Sequence, residues 1–135
     1  MLALRPSLWA AVAAIAIAIA ACGAPAASVT ATLKDFTITL DRPTISAGSV
    51  TISAKNNGAM PHRLVVIKTD VAFDKLPIDQ TTLMASEVGK VAEILSVAVG
   101  QTATVTVTLA PGRYVVICNL PEHYELGMRA PLTVQ

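Results

Sequence analysis

A chain of 135 residues has room for one domain, and ten basic against nine acidic side chains leave a net charge of +1. That balance excludes a charge-driven hold on nucleic acid, which needs clustered Lys and Arg. The whole chain holds two cysteines and two histidines, so a centre built on thiol and imidazole has few candidates.

Met1–Ser7 carries one positive charge, Arg5, and Leu8–Ala21 is fourteen apolar residues without a break. That length fits the apolar stretch of a secretory signal, roughly 7–15 residues, and falls short of the roughly 20 that span a bilayer. Residues 1–21 therefore read as an export signal, and Trp9, the only tryptophan, is part of it. Ile19-Ala20-Ala21-Cys22 resembles the bacterial lipobox. The resemblance implies cleavage before Cys22, lipidation of its sulfur and membrane anchoring through acyl chains worth about 0.8 kcal/mol per buried methylene. The alternative is ordinary cleavage near Ala24 or Ala27, leaving a soluble periplasmic protein. On the lipoprotein reading, residues 22–28 are the lipidated Cys and a flexible Gly/Ala/Pro/Ser tether, and residues 29–135 form the domain. Loss of Arg5 with the signal leaves nine basic and nine acidic residues. With Cys22 lipidated, Cys118 has no disulfide partner, and a lone thiol in an oxidising compartment is a liability unless a metal holds it.

Past the tether, period-two alternation dominates. Phe36, Ile38 and Leu40 share one face with Thr37 and Thr39 opposite; Val50, Ile52 and Ala54 repeat the pattern after a turn at Ala47-Gly48. Asn56-Asn57-Gly58 is a turn signal, because Asn and Gly tolerate positive φ. Leu64–Ile67 is apolar on both faces, as a central strand would be. Thr81–Glu93 breaks the alternation and predicts a short helix or an irregular excursion. Thr102–Leu109 alternates Thr with Ala, Val and Leu, and Pro111-Gly112 turns the chain into Arg113–Cys118. Short strands rich in Val and Thr at 8–12-residue spacing predict an all-β, antiparallel sandwich.

The last of these strands ends at Cys118, where the spacing Cys118-x4-His123-x4-Met128 begins. A Pro/Gly loop and a returning strand, Ala130–Val134, can turn all three side chains toward one point. Tyr114, Val116 and Cys118 share a strand face, so a core Val116 puts the sulfur inside as well. Each residue taken singly has a plainer reading: a buried inert thiol, a loop histidine, a core methionine. The upstream histidine, His62 in Met60-Pro61-His62-Arg63, completes the set. Two imidazoles, one thiolate and one weak thioether are what a mononuclear blue-copper site requires.

Asn57-Gly58-Ala59-Met60-Pro61-His62 with its following aliphatic strand, and Gly112-Arg113-Tyr114 through Cys118, His123 and Met128, resemble the cupredoxins, the plastocyanin, azurin and sulfocyanin relatives. The match is tight over about 25 residues and extends over Val29–Gln135 through strand pattern alone. It implies a Greek-key β-sandwich holding one copper ion, with His62, Cys118 and His123 as trigonal ligands and Met128 as the long axial one. Two positions depart from the pattern. Arg63 stands where many relatives have an Asn that ties the upstream loop to the Cys loop, leaving Asn56, Asn57 or Asn119 to supply that tie. Glu122 stands where many have Gly.

The resulting expectation is a monomeric, non-enzymatic one-electron carrier outside the cytoplasmic membrane, anchored through Cys22 and serving a transient redox partner protein. His123 with Leu120, Pro121, Leu126 and Met60 or Ala59 would form its apolar docking patch, with Arg63, Glu122, Glu125 and Arg129 at the rim. A copper-delivery protein is the alternative on the same ligands. Copper oxidases and nitrite reductases need further histidines for a second centre, and hydrolysis by Cys118 with a histidine would leave Met128 unexplained. A metal-free sandwich would make Cys118 mere packing.

Overall fold

The computed structural model describes residues 25–135, so the expected signal at 1–21 and the lipidation site Cys22 lie outside the described residues. Eleven strands follow in chain order: β1 (Ala27–Lys34), β2 (Thr37–Leu40), β3 (Thr44–Ile45), β4 (Gly48–Asn56), β5 (His62–Lys68), β6 (Ile78–Asp79), β7 (Met84–Ala85), β8 (Lys90–Val97), β9 (Thr102–Leu109), β10 (Gly112–Ile117) and β11 (Arg129–Val134). β1 starts two residues inside the stretch read as tether.

Two sheets make a Greek-key sandwich, one ordered β2-β1-β4-β9 and the other β3-β11-β10-β5-β8. Alternation decides what lies between them. Val29, Ala31 and Leu33 of β1 and Val50, Ile52 and Ala54 of β4 point inward and are buried, while Thr51 and Thr106 pair hydroxyls at 3.2 Å outside. Leu64, Val66, Val116, Leu132 and Val134 close the same core from the other sheet. Each such Val, Leu or Ile contributes about 1.5–3 kcal/mol by leaving water.

Two expectations need correction. The sandwich is not wholly antiparallel: β1 runs parallel to β4 and β3 parallel to β11. Side-chain alternation reports which face is buried, not the direction of the neighbouring strand. Phe36 does not continue the inward face of Ile38. It sits with Asp35 in the two-residue loop between β1 and β2, at φ 66°, with its side chain 38% exposed.

The aperiodic stretch Thr81–Glu93 holds turns, the short β7 that pairs with β6, and the first half of β8; no helix occurs among the described residues. Leu76, Ala85 and Tyr124 pack onto Val65, Ile67, Val115 and Ile117, the outer side of the second sheet. This cover is why Leu64–Ile67 is apolar on both faces. Tyr124 pins it, its hydroxyl donating to Phe73 O at 2.9 Å and accepting from Leu76 N at 2.8 Å.

Candidate metal centre

β5 begins at His62 and β10 ends one residue before Cys118, so both enter the same end of the sandwich as neighbours in one sheet. The loop from Asn119 to Met128 folds back on itself. His123 N donates to Leu120 O at 3.1 Å, Met128 N to His123 O at 3.0 Å, and Cys118 N to Met128 O at 3.0 Å. Cys118 Sγ lies 3.8 Å from His62 Nδ1 and 3.4 Å from His123 Nδ1, and these three atoms all lie within 4.8 Å of one another. Met128 is fully buried in the apolar cluster that contains Cys118. The four residues selected from sequence thus converge at one end, three of them by direct donor contact.

Both histidines present Nδ1 to the sulfur, and for His62 the cause is visible. Its Nε2 meets Asp35 Oδ1 at 3.1 Å; a carboxylate accepts, so Nε2 is the nitrogen that donates there and Nδ1 is the one left to face the sulfur. Asp35 also accepts from Ala59 N at 3.1 and 3.0 Å. The Ala59 bond, with help from His62, holds its carboxyl below the usual range. Gly58 makes room for this contact, since a Cβ there would overlap Asp35 Oδ1 and stand 2.9 Å from His62 Nε2. Asn56, buried at the end of β4, fixes the loop by donating to Met60 O and Val97 O at 2.8 Å each and accepting from Gly58 N.

The donor chemistry fits a soft metal. Burial pushes the Cys118 thiol up, countered by the N–H groups of Arg63 and Leu120 and the Arg63 charge. A thiol so placed ionises when a metal displaces its proton. Burial, and then the neighbouring His62, push the His123 imidazole down, which favours the neutral form that has a lone pair to donate. Arg63 N points at Cys118 Sγ from 3.4 Å, placing a hydrogen-bond donor on the sulfur.

Arg63 itself corrects the sequence reading, which placed it at the rim. Its side chain is 15% exposed and turned onto the outer side of the sheet, with Nη1 2.6 Å from Glu87 Oε1 and Nη2 2.6 Å from Glu93 Oε2. Asn119 belongs to the same cluster, donating to Glu87 Oε1 at 2.8 Å and pairing with both backbone groups of Ala85. Glu122 adopts φ 66°, the left-handed region that favours Gly. Phe36 stands edge-on to the His123 ring, centroids 5.7 Å apart. Asp35, Glu87 and Phe36 were not selected from sequence. Asp35 is of a residue type that favours turns, but nothing local says what such a turn touches.

With this geometry in hand, the chain can be placed among known proteins. A family model for copper binding proteins of the plastocyanin/azurin family matches residues 26–135. The chain belongs to that family. Auracyanin from Roseiflexus castenholzii is 23% identical at a TM-score of 0.59, covering 84% of this chain and 99% of its own. Auracyanin A, a "blue" copper protein from Chloroflexus aurantiacus, is 28% identical at 0.53, covering 80% and 99%. Rusticyanin from Thiobacillus ferrooxidans is 19% identical at 0.60, covering 80% and 76%. No curated protein matches the chain by sequence.

Proposed function

We propose that this protein is a one-electron carrier of the blue-copper type, with His62, Cys118 and His123 as the close ligands and Met128 as the weak axial one. The observation that carries this reading is the convergence of one thiol and two imidazole nitrogens within 4.8 Å of one another at the end of a rigid sandwich. Bound copper supplies the Cu(I)/Cu(II) couple. Sulfur from Cys118 favours the reduced ion, and imidazole suits both states.

The chain's own part is to hold one geometry through both states. Cys118 gives up its proton on loading and keeps the Arg63 N–H as hydrogen-bond donor. His62 is locked by Asp35 and fully enclosed, so it is a ligand without access to solvent. His123 is partly exposed, so its ring edge is the route by which an electron enters or leaves. Phe36 (38% exposed) stands edge-on to its ring, and with Leu126 (56%), Met60 (36%), Leu120 and Pro121 it makes the proposed apolar patch, suited to brief, weak docking on a redox partner protein.

The protein works outside the cytoplasmic membrane as a monomer, exported by residues 1–21 and held there by lipid on Cys22. Among the described residues no helix is long and apolar enough to cross a membrane. Burial of Cys118, His62 and Met128 favours electron transfer over copper delivery, which needs ligands open to exchange.

The test is an absorption spectrum after Cu(II) addition, followed by reductive and oxidative cycling in the presence of a chelator. An intense visible thiolate-to-copper band that returns through several cycles without metal loss supports the carrier. Ready transfer of copper to the chelator supports delivery, and no band at all ends the copper reading.

A further inference from the structure

We infer that Glu87 is a positioning residue that joins the His62 loop to the Cys118 loop, through Arg63 on one side and Asn119 on the other. Three segments distant in sequence meet on this one carboxylate. Glu87 Oε1 takes Arg63 Nη1 at 2.6 Å and Asn119 Nδ2 at 2.8 Å. Its other oxygen takes Arg63 Nη2 at 3.3 Å and Lys90 Nζ at 2.9 Å. Arg63 directly follows one ligand and Asn119 directly follows another. A shift of Glu87 therefore moves the backbone on both sides of the sulfur, including the Arg63 N–H aimed at it.

The cluster is enclosed enough for this to matter. Asn119 is 1% exposed, and the side chains of Arg63 and Glu87 are 15% and 24% exposed. Arg63 cannot make the same link alone, because a guanidinium only donates and Asn119 Nδ2 needs an acceptor. Asn119 Oδ1 is already taken by Ala85 N at 2.8 Å. An acceptor must stand between the two donors, and Oε1 of Glu87 takes both. The link also draws the β6–β7 excursion into the site, since Ala85 and Glu87 both hold Asn119.

This assignment rests on the copper reading, and its test separates the two. Glu87→Ala and Glu87→Gln are compared with the parent in amide hydrogen exchange at Arg63 and Ala85 in the metal-free protein. After Cu(II) loading, copper release to a chelator and the ratio of the two thiolate-to-copper bands are measured. Glu87→Ala is expected to expose both amides, change the band ratio and speed release by about tenfold, the low end for a residue supporting a metal ligand. Glu87→Gln, which keeps an acceptor for Asn119 and loses the ion pair, is expected to fall between. A general loss of stability would leave the band ratio unchanged. A folded Glu87→Gln protein with parental exchange, band ratio and release overturns the assignment, and it decides the matter even where Glu87→Ala does not fold. A parent that takes up no copper overturns the function instead, while the metal-free exchange still reports the link.

Discussion

Asp35 Oδ1 meets His62 Nε2 at 3.1 Å across 27 residues of sequence. The contact sets which nitrogen of His62 faces the sulfur and adds a negative charge behind a ligand, favouring the more positive copper state. Asp35→Asn keeps an acceptor and loses the charge, so the reduction potential should rise with the visible spectrum nearly intact. Asp35→Ala also frees the ring, and Cu(II) affinity should fall about 10–100-fold. Potentiometry and competitive copper titration measure these, and an unchanged potential in Asp35→Asn would remove the charge from the account.

Cys118 and Met128 separate the essential donor from the tuning one. Cys118→Ser should abolish the intense visible band while circular dichroism still reports a folded sandwich, since the swap is small at a core site. Met128→Leu should keep copper and raise the potential, because a weak donor that favours Cu(II) is lost. A Cys118→Ser protein as blue as the parent contradicts the first role; a large fall in potential on Met128→Leu contradicts the second.

The primary donors were legible in the sequence because their spacing is itself the signal: Cys118, His123 and Met128 lie on one short loop, and His62 was the one other histidine. The strands were legible where one face is buried, as in β4 and β9, whose alternation survives intact. What surrounds the donors was not legible, since each supporting contact spans distant segments. Asp35 reaches His62 across 27 residues and Glu87 reaches Asn119 across 32, both from turns without periodicity. Phe36 misled for a related reason. An aromatic residue before Ile38 continues the alternating pattern on paper, but the two-residue loop places it beside His123 instead.

Glu122 holds a left-handed backbone at φ 66° on the ligand loop, its N–H donating at 2.8 Å to Leu83 O, a residue also left-handed at φ 57°. That conformation costs an L-residue about 1–2 kcal/mol, against about 0.5–1 kcal/mol for the greater unfolded freedom of glycine. Glu122→Gly should therefore be stabilising by up to about 1.5 kcal/mol, raising Tm by several degrees. Glu122→Val, β-branched at the same φ, should destabilise. Thermal melts of the metal-free protein check both, and equal Tm values for the two variants would contradict the strain.

Acid stability should depend on the carboxylate between the two loops. Burial pushes the Glu87 carboxyl up, but hydrogen bonds from Lys90, Asn119 and Arg63 outweigh it and hold the pKa at about 2, below its ordinary 4.5. Because the folded value is the lower one, ionised Glu87 stabilises the fold fully above 4.5, and that contribution is lost as pH falls toward about 2. Glu87→Gln has no such proton to gain. Urea unfolding of metal-free parent and Glu87→Gln should therefore show a stability gap that is wide near neutral pH and narrows through this window. Glu93 and Asp79 are also held below their ordinary values, so both proteins lose stability in acid, and only the difference reports Glu87. A gap that stays constant from neutral pH down to about 2 would mean the carboxylate is no better held in the fold than in the unfolded chain.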